Sequence, residues 1–172
     1  MDKKLVEALN RQLVAEYYSG YLYLQMAAWL ERRNLKGFAH WMKIQAREEA
    51  CHASIFFNHL ASRGAEVVLD KIDAPPNAFK DIADVFEATL EHERSVSRSI
   101  DRLVELAFEV KDHAARILIE WFVTEQIEEE ASASEILEKI RILGKEPGPA
   151  LLAMDSSLAG RAFSLPAPLA EK

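Results

Sequence analysis

Cysteine is almost missing from this chain: among 172 residues only Cys51 carries a thiol, which excludes an internal disulfide framework. Glycine and proline are scarce as well, six of each, and most stand where a periodic pattern stops, leaving long stretches free to be helix. No apolar run comes near the roughly 20 residues needed to cross a bilayer. The opening MDKKLVEALN has no apolar signal region, so a soluble cytoplasmic protein without a membrane partner is expected. Basic residues are outnumbered, 21 Lys and Arg against 28 Asp and Glu, for a net charge of −7. That balance argues against nucleic acid, whose binding draws its affinity from clustered cations. A Gly-rich phosphate loop and a nucleophile elbow are also lacking.

What the chain does have is 49% hydrophobic residues, enough for one domain with a sizeable core, and four long stretches of helical period. Steps of three and four residues trace Leu9, Leu13, Glu16, Gly20, Tyr23, Ala27, Leu30 in the first stretch and Phe38, Met42, Gln45, Glu49, His52, Phe56 in the second. The third runs Ile82, Phe86, Leu90, Glu93, Val96, Ile100, Val104, and the fourth Leu118, Phe122, Gln126, Glu129, Ala133, Ile136, Ile140. Each apolar seam is interrupted near its middle by a carboxylate. Burying an ionised carboxylate costs several kcal/mol unless it is paired or coordinates a metal. Four such acids with one histidine ask for a cation.

The punctuation delimits helices at about 3–33, 36–63, 78–110 and 112–144, with a short fifth at about 150–158 and a Pro-containing tail at 159–172. A tight turn at Asn34 and Leu35 makes the first two an antiparallel hairpin. Pro75-Pro76 marks a long connection before the second hairpin, and Gly-Lys-Glu-Pro-Gly-Pro from Gly144 ends the fourth helix. The expected fold is all-α: a single-domain four-helix bundle with one long crossover between helices 2 and 3 and a short C-terminal fifth helix. Glu16, Glu49, Glu93 and Glu129 each lie within about two residues of a helix midpoint, or about 3 Å of rise, so all four arrive at one level.

Glu49-x-x-His52 places a carboxylate and an imidazole on one helix face; alone, such a histidine is more often a hydrogen-bonded core residue than a ligand. Carboxylates from two helices combined with pairs of this spacing from the other two are the recipe for a di-iron or di-manganese site in a bundle. Glu16, Glu49 and His52 can hold one metal, and Glu49, Glu93 and Glu129 a second, with Glu49 bridging. The second position has no imidazole, its helix offering Gln126-x-x-Glu129, and oxygen-only ligation holds a borderline metal less tightly; at least one metal is expected to come and go. Glu48, Glu125 and Glu128 lie beside the first set as a candidate third position, while Glu130 reads as a solvated acid. Tyr23 sits one heptad beyond Glu16, as a packed core residue or as a hydrogen-bond or electron donor to the metals. Trp41 and Trp121 read as packing residues and Cys51 as a packed thiol. His40, His59, His92 and His113 have no partners at ligand spacing.

At these residues, from LNRQLVAEYYSGYLYL through REEACH and EHE to EQIEEE, the chain resembles the ferritin family, in particular the haem-free ferritins of bacteria and archaea. The resemblance implies that Glu16, Glu49 and His52 form a first ferroxidase iron site and that Glu93 and Glu129 share Glu49 in a second. It makes Gln126 the second-site glutamine, Tyr23 the tyrosine beside the centre, and Glu48, Glu125 and Glu128 the third iron site. It further implies oxidation of Fe(II) by dioxygen or peroxide and storage of ferric mineral in a hollow homo-oligomeric cage, usually of twenty-four subunits. A haem-binding member would show a second Glu-x-x-His where Gln126 and Glu129 stand and a Met where Ala50 stands, so no haem is expected. A rubrerythrin-like peroxidase usually carries an additional CxxC iron domain, which the single cysteine excludes.

Overall fold

A side-chain cap or a left-handed turn residue marks most of the helix ends. The structure, a computed structural model, describes residues 1–144 and 148–170; the expected break at 145–147 and the last two residues of the tail lie outside them. Four long helices, α1 (Lys3–Glu31), α2 (Lys36–Ser62), α3 (Ile82–Glu109) and α4 (His113–Leu143), are followed by α5 (Pro149–Leu158) and a single turn, α6 (Ala167–Ala170). No strand occurs among the described residues. Asp2 caps α1 by accepting from the Lys4 and Leu5 amides at 2.9 and 3.3 Å, and Asp112 caps α4 through the Ala115 amide at 3.0 Å. Asn34 (φ 58°) and Lys111 (φ 56°) take the left-handed conformation that closes the two hairpins.

The third helix begins at Ile82, four residues later than the sequence pattern predicts. Asp81 accepts from the Asp84 amide at 2.9 Å while Asp84 accepts from the Lys80 amide at 2.8 Å, a reciprocal cap of the capping-box type that starts the helix there rather than at the end of the Pro-Pro segment. The tail holds a second, smaller departure: α6 lies where the sequence shows only irregular chain.

Hydrogen bonds between helices give the directions. Gln12 meets Ser99, Ser19 meets His92 and Met26 meets Thr89, so α1 and α3 are antiparallel; since α1 and α2 are also a hairpin, α2 and α3 point the same way. Residues 63–81 must therefore run the length of the bundle, about 40 Å for helices of this length. Asn10 on α1 holds this crossover from both sides of its amide, donating to the Glu66 carbonyl at 2.9 Å and accepting from the Val68 amide at 2.7 Å.

Nearly every seam residue is buried; Val104 and Leu118 are only half buried. There the buried stripe moves to Leu103 and Ala107 on α3 and to Ala115 and Ile119 on α4, because a straight helix drifts from a strict heptad toward its ends. The core is two apolar clusters. One contains Leu5, Leu9, Leu13, Phe56, Ile100 and Phe122, the other Met26, Leu30, Phe38, Met42, Phe86 and Ile140. Between them lies the level of the seam carboxylates.

The short α5 folds back on the start of α2. Leu35, the residue before α2, makes no side-chain cap; Asp155 of α5 supplies one from a distance, accepting from the Phe38 amide at 2.9 Å. The approach is close enough that a Cβ on Gly37 would lie 1.5 Å from the Asp155 carbonyl oxygen, so only glycine fits there.

Candidate metal centre

The polar layer between the two clusters is buried. Glu16, Gln45, Glu49, His52, Glu93, Gln126 and Glu129 are all buried, and no lysine or arginine is among the buried residues described. Glu16 comes from α1, Glu49 and His52 from α2, and their ligand atoms all lie within 4.8 Å of one another, a set able to hold a metal ion. His52 Nδ1 stands 3.2 Å from Glu49 Oε2, as the three-residue spacing on one helix predicts. Its other ring nitrogen, Nε2, has no hydrogen-bond partner among the described residues and faces Glu125 Oε1 at 3.9 Å.

Glu93 and Glu129 face the same layer from α3 and α4, each held by neutral donors. Glu93 accepts from the Tyr23 hydroxyl and from Gln126 Nε2 at 3.1 Å; Glu129 accepts from Gln45 Nε2 at 2.5 Å. Tyr23 is thus a buried residue whose hydroxyl orients a candidate ligand, joining the two roles the sequence left open. Gln45 was legible as an amide on an apolar seam, but its partner was not. Gln12 is a further positioning residue: it accepts from Ser99 at 2.6 Å and donates to Glu16 at 2.8 Å.

Burial, reinforced by mutual repulsion, shapes the acids. Desolvation and the Glu49 charge hold Glu16 well above the carboxylate range, and desolvation with the Glu93 and Glu129 charges does the same to Glu49. Glu93 is raised, mainly by burial, against the pull of Tyr23 and Gln126. Glu129 is pushed up to about 8 by burial and the Glu93 charge. Without a cation the layer therefore keeps protons near neutral pH, and a bound metal must displace them.

The third acidic set lies on the outer side of His52. A cavity of about 550 Å³ is lined by Glu48, Trp121, Glu125, Glu128 and Glu129 together with Arg161. Burial raises both Glu48 and Glu125. Arg161 Nη2 donates to Glu48 Oε2 at 2.6 Å, a partner that no spacing in the sequence announces. Glu130 is drawn instead toward Ser97 at 2.5 Å, away from this set. His92, which has no ligand spacing, is half-buried against Tyr18 and Tyr23 and bonds Ser19 at 2.8 Å; desolvation lowers it to about 4, so it stays neutral. Trp41 packs on Phe86 in the core, whereas Trp121 both packs on Phe122 and lines the acidic cavity.

A two-hairpin bundle with carboxylates and one histidine gathered at mid-height defines a class, and comparison with known proteins agrees. Residues 6–143 match the family model described as ferritin-like domain, and the chain belongs to that family. It is 43% identical over 144 residues to the bacterial non-heme ferritin of Bacteroides fragilis, covering 84% of this chain and 91% of the relative. It is 35% identical over 164 residues to that of Campylobacter jejuni, covering 95% and 98%. Among solved structures, the open pore ferritin of the archaeon Archaeoglobus fulgidus superposes with a TM-score of 0.92 at 44% identity, covering 94% of this chain and 98% of the other. These relatives place the chain with the prokaryotic haem-free ferritins.

Proposed function

We propose that the protein oxidises Fe(II) to Fe(III) at a di-iron ferroxidase centre and stores the ferric product as mineral inside a hollow cage built from copies of itself, twenty-four on the family's usual plan. The observation that carries this reading is the buried set of Glu16, Glu49 and His52, extended by Glu93 and Glu129 in the same dry layer. Five candidate ligand side chains, with no buried lysine or arginine among the described residues, suit two divalent ions better than any organic substrate. Glu49, on α2 between Glu16 and the Glu93–Glu129 side, is the bridging ligand.

Iron is here the substrate. Two ferrous ions held together release two electrons, which with two protons from solvent take one dioxygen to hydrogen peroxide or one hydrogen peroxide to two waters. Acidic oxygen ligands favour the harder ferric product. The protein's share is position and charge: Gln12 aims Glu16, Gln45 aims Glu129, and Tyr23 with Gln126 aim Glu93. The protons that burial keeps on the empty carboxylates leave as iron enters. Glu48, Glu125 and Glu128 form a third iron position, joined to Glu129 through the shared cavity. That continuity supports a way by which iron passes between the centre and the third position.

The deciding experiment adds ferrous iron in air to purified apoprotein and follows iron and protein together through a sizing column. Iron in large excess over the ligand sets, travelling with a very large particle, is expected. A few ions per chain on a small species would mean a di-metal enzyme in which the metal is a cofactor.

A further inference from the structure

A cation already stands at the third acidic set, and it belongs to the protein. Arg161 follows α5 by three residues, and its position is fixed from several sides. Asp155 anchors α5 to the start of α2; the Arg161 carbonyl accepts from His40 Nε2 at 2.8 Å; its guanidinium lies 4.8 Å from the centre of the Trp41 ring; and Arg47 stacks on Phe163 at 4.2 Å. From this seat Nη2 reaches Glu48 at 2.6 Å, the two side chains only 25% and 15% exposed. Nη1 is buried with no hydrogen-bond partner among the described residues, while Nη2 is spent on the acid.

Two facts set this apart from an ordinary surface ion pair. Glu48 shares its cavity with Glu125, Glu128 and Glu129, so the acid that the arginine holds is one of several that open on the same space. His52 Nε2, in a side chain 1% exposed, has no hydrogen-bond partner among the described residues and faces Glu125 Oε1 at 3.9 Å from the other side, so one acid of the same cavity is also addressed by a residue of the candidate di-metal layer.

We propose that Arg161 is a built-in competitor for the cation of the third position: its guanidinium holds Glu48 until a divalent metal ion displaces it, and displacement removes one of the contacts that hold residues 161–170 on α2. The proposal rests on the reading of Glu48, Glu125 and Glu128 as a metal position. A metal there must supply enough to replace one charge-assisted hydrogen bond and the stacking on Trp41. The third position is thereby kept weaker than its count of acids suggests, which suits a place that passes iron on rather than keeping it. Filling it also loosens the tail, so occupancy of the site is written into the mobility of residues 161–170.

The test is a calorimetric titration of assembled apoprotein with Zn(II), which is redox-inert, in wild type, Arg161→Gln and Arg161→Lys. In Arg161→Gln the third binding step is expected to tighten roughly tenfold; Arg161→Lys, which keeps the charge but loses the planar fork, is expected to fall between. Hydrogen exchange of residues 161–170 in wild type is expected to speed up when the third equivalent is bound and not before. A third step that is absent, unchanged or weaker in Arg161→Gln overturns the proposal. If that variant does not assemble, the wild-type exchange decides: a tail equally protected before and after the third equivalent overturns it. The first two steps belong to the di-metal layer, and their absence counts against the proposed function while leaving the third step to be read on its own.

Discussion

At the scale of single residues, the centre is built of acids that water would normally keep charged and that the bundle keeps dry. Glu49 is the residue on which the layer converges, placed beside Glu16 and His52 and repelled by Glu93 and Glu129. Replacing it with Ala is expected to slow the initial oxidation of Fe(II) by roughly a hundredfold or more, since on the proposed function it is the bridging ligand, whose loss exceeds the 10–100-fold cost typical of an outer partner; stopped-flow absorbance after mixing with iron in air checks this. Gln45 tests the supporting contacts. Its amide is the side-chain donor to Glu129, so Gln45→Ala is expected to weaken the second binding step about 10–100-fold and to spare the first, as read by anaerobic metal titration. Gln45 was visible in the sequence only as a polar interruption of a seam; its task depends on α4 arriving opposite α2, which no local pattern states.

At the scale of the elements, caps and close approaches decide where helices begin and what they carry. The Asp81 and Asp84 pair starts α3 at Ile82, and the same acids in the sequence were overshadowed by the stronger Pro75-Pro76 signal, which put the start four residues earlier. The attachment of α5 to α2 is the contact with the widest consequences, since it seats Arg161. Gly37→Ala is expected to detach α5, although Ala is intrinsically favoured over Gly in a helix by about 1 kcal/mol. The added Cβ would fall 1.5 Å from the Asp155 carbonyl oxygen, and backbone cannot yield by that much. Limited proteolysis should then cut the region after α4 at least several times faster than in wild type, with the four long helices still folded by circular dichroism.

At the scale of the whole molecule, the carboxylate layer makes stability depend on pH in the sense opposite to most acidic proteins. Glu129 holds its proton up to about pH 8 in the folded chain, whereas an unfolded glutamate releases it near 4.3. Between those values the folded state binds more protons than the unfolded one, so stability falls as pH rises, by up to about 1.4 kcal/mol per pH unit for each extra proton held. Glu16, Glu49 and Glu93 shift in the same direction. The metal-free protein is therefore expected to lose thermal stability between about pH 5 and pH 8, and bound Zn(II) is expected to flatten that slope by replacing the protons with a cation. Differential scanning calorimetry at several pH values, with and without Zn(II), measures both. A metal-free protein that grows more stable over the same range would mean that the acids are hydrated, not buried.

The all-α fold, the two hairpins, the crossover and the buried carboxylates at mid-height were readable from the chain alone, because helical period and glycine and proline breaks are local, and residues equally far from the ends of equal helices must meet at one level. Glu16, Glu49 and His52 were legible for the same reason: two lie three residues apart on one helix, and the third sits at the matching height of its hairpin partner. Whatever depends on which surface meets which was decided by the tertiary structure. Gln45 finds Glu129 across 84 residues of chain, and Arg161 finds Glu48 across 113. The arginine lies outside every periodic segment, and only the packing of α5 on α2 brings its charge to the acids.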